Sequence, residues 1–467
     1  MRPIQIHDTA SGGLQPLRPE QPGRVRIYAC GPTVYNRIHV GNARPYITYA
    51  LLKRFLVSQG YDVTLVSNLT DVNDKIYAAA NALGVPSSAL AVEMGDHYRA
   101  DTDRLGLGRP DLEPLATTSM PAIIALIADL VAADAAYEAE GDVYFRVRAD
   151  ARYGSLSRRD VDQMDQGEGD DPIGLRLKQD PLDFALWKAT KPGEDVAWDS
   201  PWGRGRPGWH IECSAMAEEA LGVGFEIHGG GNDLVFPHHE NEAAQTRCAR
   251  NRELAAIWMH SGMIELRGAK MSKSVGNITP LHEALDELGR DALVLLFASA
   301  HYRQPLNWAD DSIEQARAGV RRLREIGRRL TPGLRPETDA ATNDAELSGL
   351  GEAFAASLAD DFNTAAALSQ VWTWVRRANV ALDGGATVGD GQLRAMLDVL
   401  GLADLLDPDP SDGPDAAALD LLAQRQTARE AKDWARADEL RDELAAAGWT
   451  VRDGAAGAEL VRTESTT

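Results

Sequence analysis

The hydrophobic pattern along the chain changes period several times, and each change marks an element. The run RVRIYA, residues 24–29, is short and mostly apolar and predicts a buried strand. Between Ala43 and Gln59 the apolar residues Tyr46, Ala50, Leu51 and Phe55 recur at helical spacing, and Gly60 stops the run. DVTLVS, residues 62–67, predicts a second strand. Strand, helix and strand in about forty residues is a βαβ unit, so a parallel α/β sheet starts here. No glycine-rich dinucleotide fingerprint follows the first strand, which excludes an ordinary NAD site.

The pattern is broken between about residues 110 and 200 by helical stretches, turn signals and the acidic run QGEGDD, which read as an insertion. It resumes at GFEIHG, a strand that runs into Gly229–Gly231. A helix is expected from Pro237 to Asn251, and IWMHSGMIEL, residues 257–266, is expected as one further strand. Beyond residue 275 the spacing is helical. Residues 332–345 and the run DPDPSDGP, residues 407–414, read as linkers, and an alanine-rich amphipathic helix pair begins at about residue 415.

Composition adds limits rather than detail. The chain has 467 residues, is 44% hydrophobic and 25% charged, and so is of ordinary globular type with room for several domains. It contains no apolar run long enough for a membrane helix, and its N-terminus, MRPIQIHDTASGG, has no apolar signal core; a cytoplasmic protein is expected. Three cysteines, Cys30, Cys213 and Cys248, make a disulfide framework unexpected. The formal charge of −22 argues against broad, nonspecific nucleic-acid binding. A local cationic helix face remains at Arg317, Arg321, Arg324 and Arg328, either a solvated surface or a site for a specific polyanion.

Three groups of residues carry candidate chemistry. Cys30, Cys213, His238 and Glu242 offer two sulfurs, one imidazole and one carboxylate, a donor set that suits zinc. The same residues also read as two buried apolar cysteines and a capped histidine at a helix start. His39-Val40-Gly41-Asn42 closes the turn into the first helix, where free N–H groups and the helix dipole favour an anion. The loop KMSKS places Lys270 and Lys273 after the last strand, suited to charge on a triphosphate. A histidine-glycine turn at the first βα junction and a lysine-serine loop after the last strand of the same sheet would face each other across the edge where ligands bind.

The runs YACGPTVYNRIHVGNAR, SNLTDVNDK, SPWGRGRPGWHIECSAM, IHGGGNDLVFPHHENE, MHSGMIELRGAKMSKSVGN and AREAKDWARADELRDEL together resemble the cysteinyl-tRNA synthetases, a class I aminoacyl-tRNA synthetase family. The resemblance extends from residue 28 to about residue 444. It implies a class I Rossmann-like parallel-sheet catalytic domain with an insertion, followed by an all-helical C-terminal half. The implied divisions are residues 1–110 and 206–268 for the two halves of the catalytic domain and 111–205 for the connective insertion. Residues 269–331 follow as the KMSKS-loop and stem-contact domain, 346–406 as a helical bundle and 415–467 as the anticodon-binding domain.

The resemblance further implies that Cys30, Cys213, His238 and Glu242 hold one zinc ion that binds the substrate thiolate. Gly31, Thr70 and Trp209 match positions around the amino acid, and Asp233 matches a contact to adenosine or to the substrate amine. His39, Asn42, Lys270 and Lys273 fall on the two signature motifs as catalytic residues, with His39, Asn42 and Lys273 on ATP. The first signature ends here in asparagine where histidine is common, and an asparagine carries no charge. Arg429, Asp438 and Asp453 fall where anticodon bases are read, with Trp434 or Trp449 as a stacking platform. Cys248 is expected in the core. The implied activity is a cysteine–tRNA ligase: ATP with Mg²⁺, L-cysteine and tRNA(Cys) as partners, no membrane, and a monomer. Two rivals are weighed. A related ligase joins activated cysteine to an amino sugar but lacks the C-terminal domain, which residues 415–453 supply here. A non-catalytic binding paralogue has no need of His39, Lys270 and Lys273.

Overall fold

The computed structural model describes residues 2–163, 176–266, 269–270, 278–332, 345–408, 416–454 and 457–462. The acidic run 166–171, most of the KMSKS loop including Lys273, and most of both linkers lie outside them.

The chain opens with a two-stranded antiparallel hairpin, β1 (Gln5–Asp8) and β2 (Gly13–Pro16). Strand β3 (Arg24–Ala29) then leads through a loop into α1 (Val40–Ser58) and β4 (Asp62–Ser67), the βαβ unit expected from the pattern. Helices α2 (Asp74–Leu83) and α3 (Ser87–Asp103) follow. Next come α4 (Met120–Ala132) and four short strands: β5 (Ala136–Ala139), β6 (Asp142–Phe145), β7 (Phe184–Ala189) and β8 (Gly205–Pro207). The four form an antiparallel sheet in chain order. That sheet was not read from the sequence, because runs of three to six residues are too short to fix a period. Its inner face packs Val143, Phe145, Phe184 and Trp187 against Ile123, Ile127 and Leu130 of α4.

Helix α5 (Trp209–Leu221) returns the chain to the first sheet through β9 (Phe225–Gly231), α6 (Glu240–Arg250) and β10 (Ala255–Ser261). The sheet order is β10-β9-β3-β4, all parallel. The chain therefore runs outward from the centre in both directions, β3 to β4 and β9 to β10. Right-handed crossovers in opposite directions place α1 and α6 on opposite faces. The carboxyl ends of the two central strands, β3 and β9, border the crevice where such sheets bind ligands.

The expected strand over residues 257–266 is two strands. After β10, the chain breaks at Gly262 and Met263 and continues as β11 (Ile264–Leu266), which pairs with β12 (Ala269–Lys270). The break has a steric cause. A Cβ on Gly262 would lie 2.4 Å from the carbonyl oxygen of Gln304, so only glycine admits this approach. Buried Arg44 of α1 fixes the break from the other side. Its Nη1 donates to the carbonyls of Gly262 (2.8 Å) and Met263 (2.7 Å), and its Nη2 to those of His301 (3.4 Å) and Gln304 (2.5 Å). Burial lowers its pKa to about 10.

Helices α7 (Leu281–Leu288) and α8 (Arg290–Ala298) precede β13 (Leu306–Asn307), which pairs with β11 in parallel. The rest is helical: α9 (Asp310–Arg329), α10 (Ala345–Ala359), α11 (Thr364–Asp383), α12 (Gly391–Val399), α13 (Ala416–Glu430) and α14 (Trp434–Ala446). A two-stranded hairpin, β14 (Trp449–Gly454) and β15 (Gly457–Arg462), closes it. Two compact units result: Met1–Arg322 with Thr331–Ala403, and Leu323–Leu330 with Asp404–Thr467. The second has its own small core of Ala418, Leu444, Trp449 and Leu460. Among the described residues no helix is long and apolar enough to cross a membrane.

Arg44→Met is expected to strand four carbonyls that share one buried guanidinium and lower stability by about 2–4 kcal/mol, read as a shift in the denaturation midpoint of the intact chain. A midpoint equal to that of the parent would show that water satisfies those carbonyls.

Candidate metal and nucleotide site

Parallel pairing of β3 with β9 sets Tyr28 opposite His228 and Ala29 opposite Gly229. Cys30, the next residue, is held by its own N–H on the Gly229 carbonyl at 2.8 Å. Its Sγ then lies 3.5 Å from His228 Nε2, 3.8 Å from His238 Nε2 and 3.5 Å from Glu242 Oε1. Cys213 comes to the same point from α5, whose buried face also carries Met216 and Ala217.

His238 is not the first turn of an ordinary helix, as expected from Pro237. Residues Val235–His239 form a wider π turn with extended backbone at Phe236, and α6 begins at Glu240. The pairing across the turn still forms: His238 Nε2 lies 3.0 Å from Glu242 Oε1. The other ring nitrogen of His238 meets His210 Nδ1 at 3.0 Å, and Trp209 stacks on the ring at 4.3 Å. Those contacts fix the ring so that Nε2 faces the cysteines.

The four expected donors, Cys30, Cys213, His238 and Glu242, therefore converge, their ligating atoms all within 4.8 Å of one another. A second set, Cys30, His228, His239 and Glu242, meets the same criterion. His228 and His239 were missed from the sequence. Their signal was present: His228 precedes the glycine run on a strand, and His239 follows a histidine. His239 is held by a chain of side chains, its Nδ1 2.7 Å from His260 Nε2 and His260 Nδ1 2.7 Å from Thr9 Oγ1.

Every member of this cluster is buried, and burial dominates its electrostatics. Burial pushes the Cys30 thiol and the Glu242 carboxyl well above their ordinary ranges, against the bond from Cys30 to Glu242 in the carboxyl's case. It pulls His228, His238 and His239 well below theirs, and His210 and His260 to about 3. At Cys213 the neighbouring Cys30 acts to lower the pKa, but burial and the Glu242 charge raise it overall. The result is a neutral pocket of soft and borderline donors. Glu242 Oε2, His228 Nδ1 and His239 Nε2 accept or donate no hydrogen bond among the described residues. Buried polar atoms left so are rare, and a cation among them would satisfy them. The donors fit zinc.

The ligand-bearing turn is braced from the insertion side. Ser157 N–H donates to Glu240 Oε2 at 2.7 Å, Tyr153 OH donates to Asn241, and Arg247 Nε donates to Asp150 at 3.0 Å. Arg159 lies over the Phe236 ring at 4.7 Å.

From Cys30 a cavity of about 430 Å³ opens along the carboxyl ends of the strands. Gly31, Trp209, Asp233, His39 and Asn42 line it. Gly31 is required where it stands: a Cβ would lie 1.7 Å from the Asn68 carbonyl oxygen. Thr70 is buried behind it, its N–H on the Pro32 carbonyl, and is not among the lining residues. His39 caps α1. Its Nδ1 accepts from Gly41 N–H at 3.0 Å, and Asn42 Oδ1 accepts from His39 N–H at 3.3 Å. The far end of the lysine loop reaches this cap, with Val40 N–H on the Thr279 carbonyl at 3.0 Å. Lys270 lies on β12 opposite Glu265, described as backbone only, and Lys273 lies outside the described residues.

In the second unit Arg429 is half-buried on α13 and Asp438 is exposed on α14, 3.4 Å from Arg441. Asp453 lies on β14, its side chain outside the described ones. Trp449 is a core residue and offers no stacking face, whereas Trp434 is exposed. Cys248 packs at the edge of the insertion core.

Comparison with known proteins agrees from end to end. Residues 16–318 match the family model of the class I (C) tRNA synthetase catalytic domain, 353–405 the DALR domain and 411–459 the cysteinyl-tRNA ligase anticodon binding domain. A protein of Exiguobacterium sibiricum, curated as cysteine–tRNA ligase, is 42% identical over 465 residues, covering 97% of this chain and 98% of its own. One of Halorhodospira halophila, of the same name, is 42% identical over 470 residues, covering 98% and 100%. Among solved structures, the Mycobacterium tuberculosis methionyl-tRNA synthetase with methionyl-adenylate has a TM-score of 0.59 at 19% identity, covering 82% of this chain and 90% of that one. The Agrobacterium radiobacter LeuRS in a ternary complex with tRNA and LeuAMS has 0.62 at 13%, covering 84% and 85%. The two structures share the fold, while the catalytic-domain match and the full-length relatives go further: this chain belongs to the cysteine–tRNA ligase family of class I aminoacyl-tRNA synthetases.

Proposed function

We propose that the chain is a cysteine–tRNA ligase that activates L-cysteine with ATP and transfers it to the 3′ end of tRNA(Cys). The observation that carries this is the convergence of Cys30, Cys213, His238 and Glu242 at the floor of a cavity whose rim is the His39 cap. The two thiols make this the softer of the two donor sets, and His210 orients its imidazole. A zinc ion held there supplies a soft Lewis acid that binds a thiolate far better than a serine hydroxyl. Selection by a bond that serine cannot make leaves no need for a second, editing site.

The side chains and helix α1 do the rest. Trp209, Gly31 and Asp233 line the cavity; Trp209 and Gly31 are assigned to the amino acid and Asp233 to the ribose or the substrate amine. His39 and the N-terminus of α1 favour the triphosphate, with Asn42 keeping the cap closed. Lys270 and Lys273 are assigned to the developing phosphate charge. The cysteine carboxylate attacks the α-phosphorus and pyrophosphate leaves; a terminal ribose hydroxyl of the tRNA then attacks the acyl carbon and AMP leaves. Positioning and charge stabilisation drive both steps. Mg²⁺ accompanies ATP, and a cytoplasmic monomer is the expected state. Arg429, Asp438 and Asp453 in the C-terminal unit are assigned to the anticodon.

In ATP–pyrophosphate exchange with each amino acid in turn, cysteine alone is expected to support turnover, and the purified protein to hold about one zinc per chain. Exchange driven by another amino acid would refute the assignment. Cys213→Ser should lose zinc and raise KM for cysteine by at least about tenfold while leaving KM for ATP near its parent value. Unchanged cysteine affinity would exclude this donor set. Arg429→Ala combined with Asp438→Ala should weaken tRNA by roughly tenfold or more with exchange intact; normal charging at low tRNA would remove those residues from the interface.

A further inference from the structure

Two cations, Arg37 and Lys75, line the same cavity and have no part in the scheme above; Lys75 stands over the Tyr35 and Trp209 rings. Arg37, in the loop between β3 and α1, lines the cavity two residues before His39. Its Nε and Nη2 donate to the two carboxylate oxygens of Asp101 at 3.2 and 2.6 Å. Asp101 sits on α3 with its side chain 2% exposed, while Arg37 is 31% exposed. A planar guanidinium gripped at two nitrogens by a buried carboxylate cannot swing, and its third nitrogen points where the grip dictates. That nitrogen, Nη1, has no partner among the described residues.

The neighbours explain why this matters. Asn42 ends the signature uncharged, and its Oδ1 is committed to the His39 N–H. Arg44, two residues further on, is buried and committed to four carbonyls. Between them, the N-terminus of α1 presents a ring and an amide but no full positive charge, and the N–H groups of Val40, Gly41 and Asn42 already have acceptors. Arg37 brings one to the same cavity on a preset mount.

We infer that Arg37 is a phosphate ligand of the activation step, with Asp101 as its positioning residue. Arg37 Nη1 donates to a phosphate oxygen of bound ATP. As the cysteine carboxylate oxygen bonds to the α-phosphorus, the bond to the bridging oxygen breaks and its electron pair leaves with pyrophosphate. Arg37 meets that charge and gives up no proton. The inference rests on the ATP-dependent activation proposed above. A phosphate at the 3′ end of a tRNA has the same chemistry, so the test separates the two steps.

The full chain and its Arg37→Gln, Arg37→Lys and Asp101→Asn variants are compared in two assays. One is cysteine-dependent ATP–pyrophosphate exchange; the other is single-turnover transfer to tRNA from preformed cysteinyl-adenylate. Arg37→Gln is expected to lower kcat of exchange by about 100-fold while its transfer rate stays at the parent's; its melting temperature falls, because Asp101 keeps a buried charge without its partner. Arg37→Lys should keep a larger share of exchange because the charge remains, and Asp101→Asn should fall between parent and Arg37→Gln. Parent-like exchange in Arg37→Gln overturns the inference. So does a loss confined to transfer, which would put Arg37 on tRNA, or an equal loss in Arg37→Lys with a lowered melting temperature, which would make its role structural. Failure of the parent itself to exchange with cysteine strikes the functional reading instead, and is seen in the same experiment.

Discussion

The parallel ladder between β3 and β9 is the contact on which the site depends. It joins segments about 200 residues apart in the chain, and it does so at one register: Tyr28 against His228, Ala29 against Gly229. A shift by one residue would reverse the faces of β3. Tyr28 would then leave its stack on His228, and Cys30 would turn from α5 and α6 toward α1. Glycine at 229 belongs to the same constraint. Tyr49 of α1 bonds the Met259 carbonyl directly over it, and a Cβ there would lie 1.8 Å from the tyrosine oxygen. Tyr49 can lie this close over β9 only because that position has no side chain.

What the ladder assembles is costly to bury. Two thiols, three imidazoles and a carboxyl are buried together, and several of their polar atoms find no protein partner among the described residues. Such groups persist where the surroundings over-determine them. Here the bracing comes from outside the cluster: His210 behind His238, His260 and Thr9 behind His239, and residues 150–157 clamped to α6 through Glu240, Asn241 and Arg247. The insertion therefore does more than interrupt the sheet. Its ion pairs and backbone donors hold the turn that carries His238 and Glu242. On the opposite flank, Arg44 ties α1 to Gly262 and Met263, which line the cavity. Both ends of the site are thus set by polar contacts, between side chains at the histidine cluster and from a guanidinium to backbone carbonyls at Gly262 and Met263.

Local features were legible in the sequence, and non-local ones were not. The β3-α1-β4 unit showed in periodicity and in Gly60 alone. The donor set showed in residue type, since two cysteines with a histidine and glutamate four apart are few enough to stand out. The insertion's antiparallel sheet did not show, because its strands are short and its pairing joins Phe145 to Phe184 across a long excursion. The break at Gly262 did not show either: its cause is a carbonyl at Gln304, far along the chain. His228 and His239 were hidden for the same reason. Their residue types were visible, but not that β9 lies beside Cys30. Trp449 was misjudged as a platform because exposure cannot be read from residue type, and the small core of the C-terminal unit uses it.

The spacing of the donors also has a consequence for synthesis. Cys30 lies 212 residues ahead of Glu242. At ribosomal rates of about 5–20 residues per second, the first thiol leaves the tunnel roughly 10–40 seconds before its last partner is made. During that interval β3 and α1 exist without the strand that will shelter them. The nascent chain therefore carries an accessible thiol and an unpaired strand edge until β9 arrives, and oxidative damage at Cys30 would strike before the finished pocket could protect it.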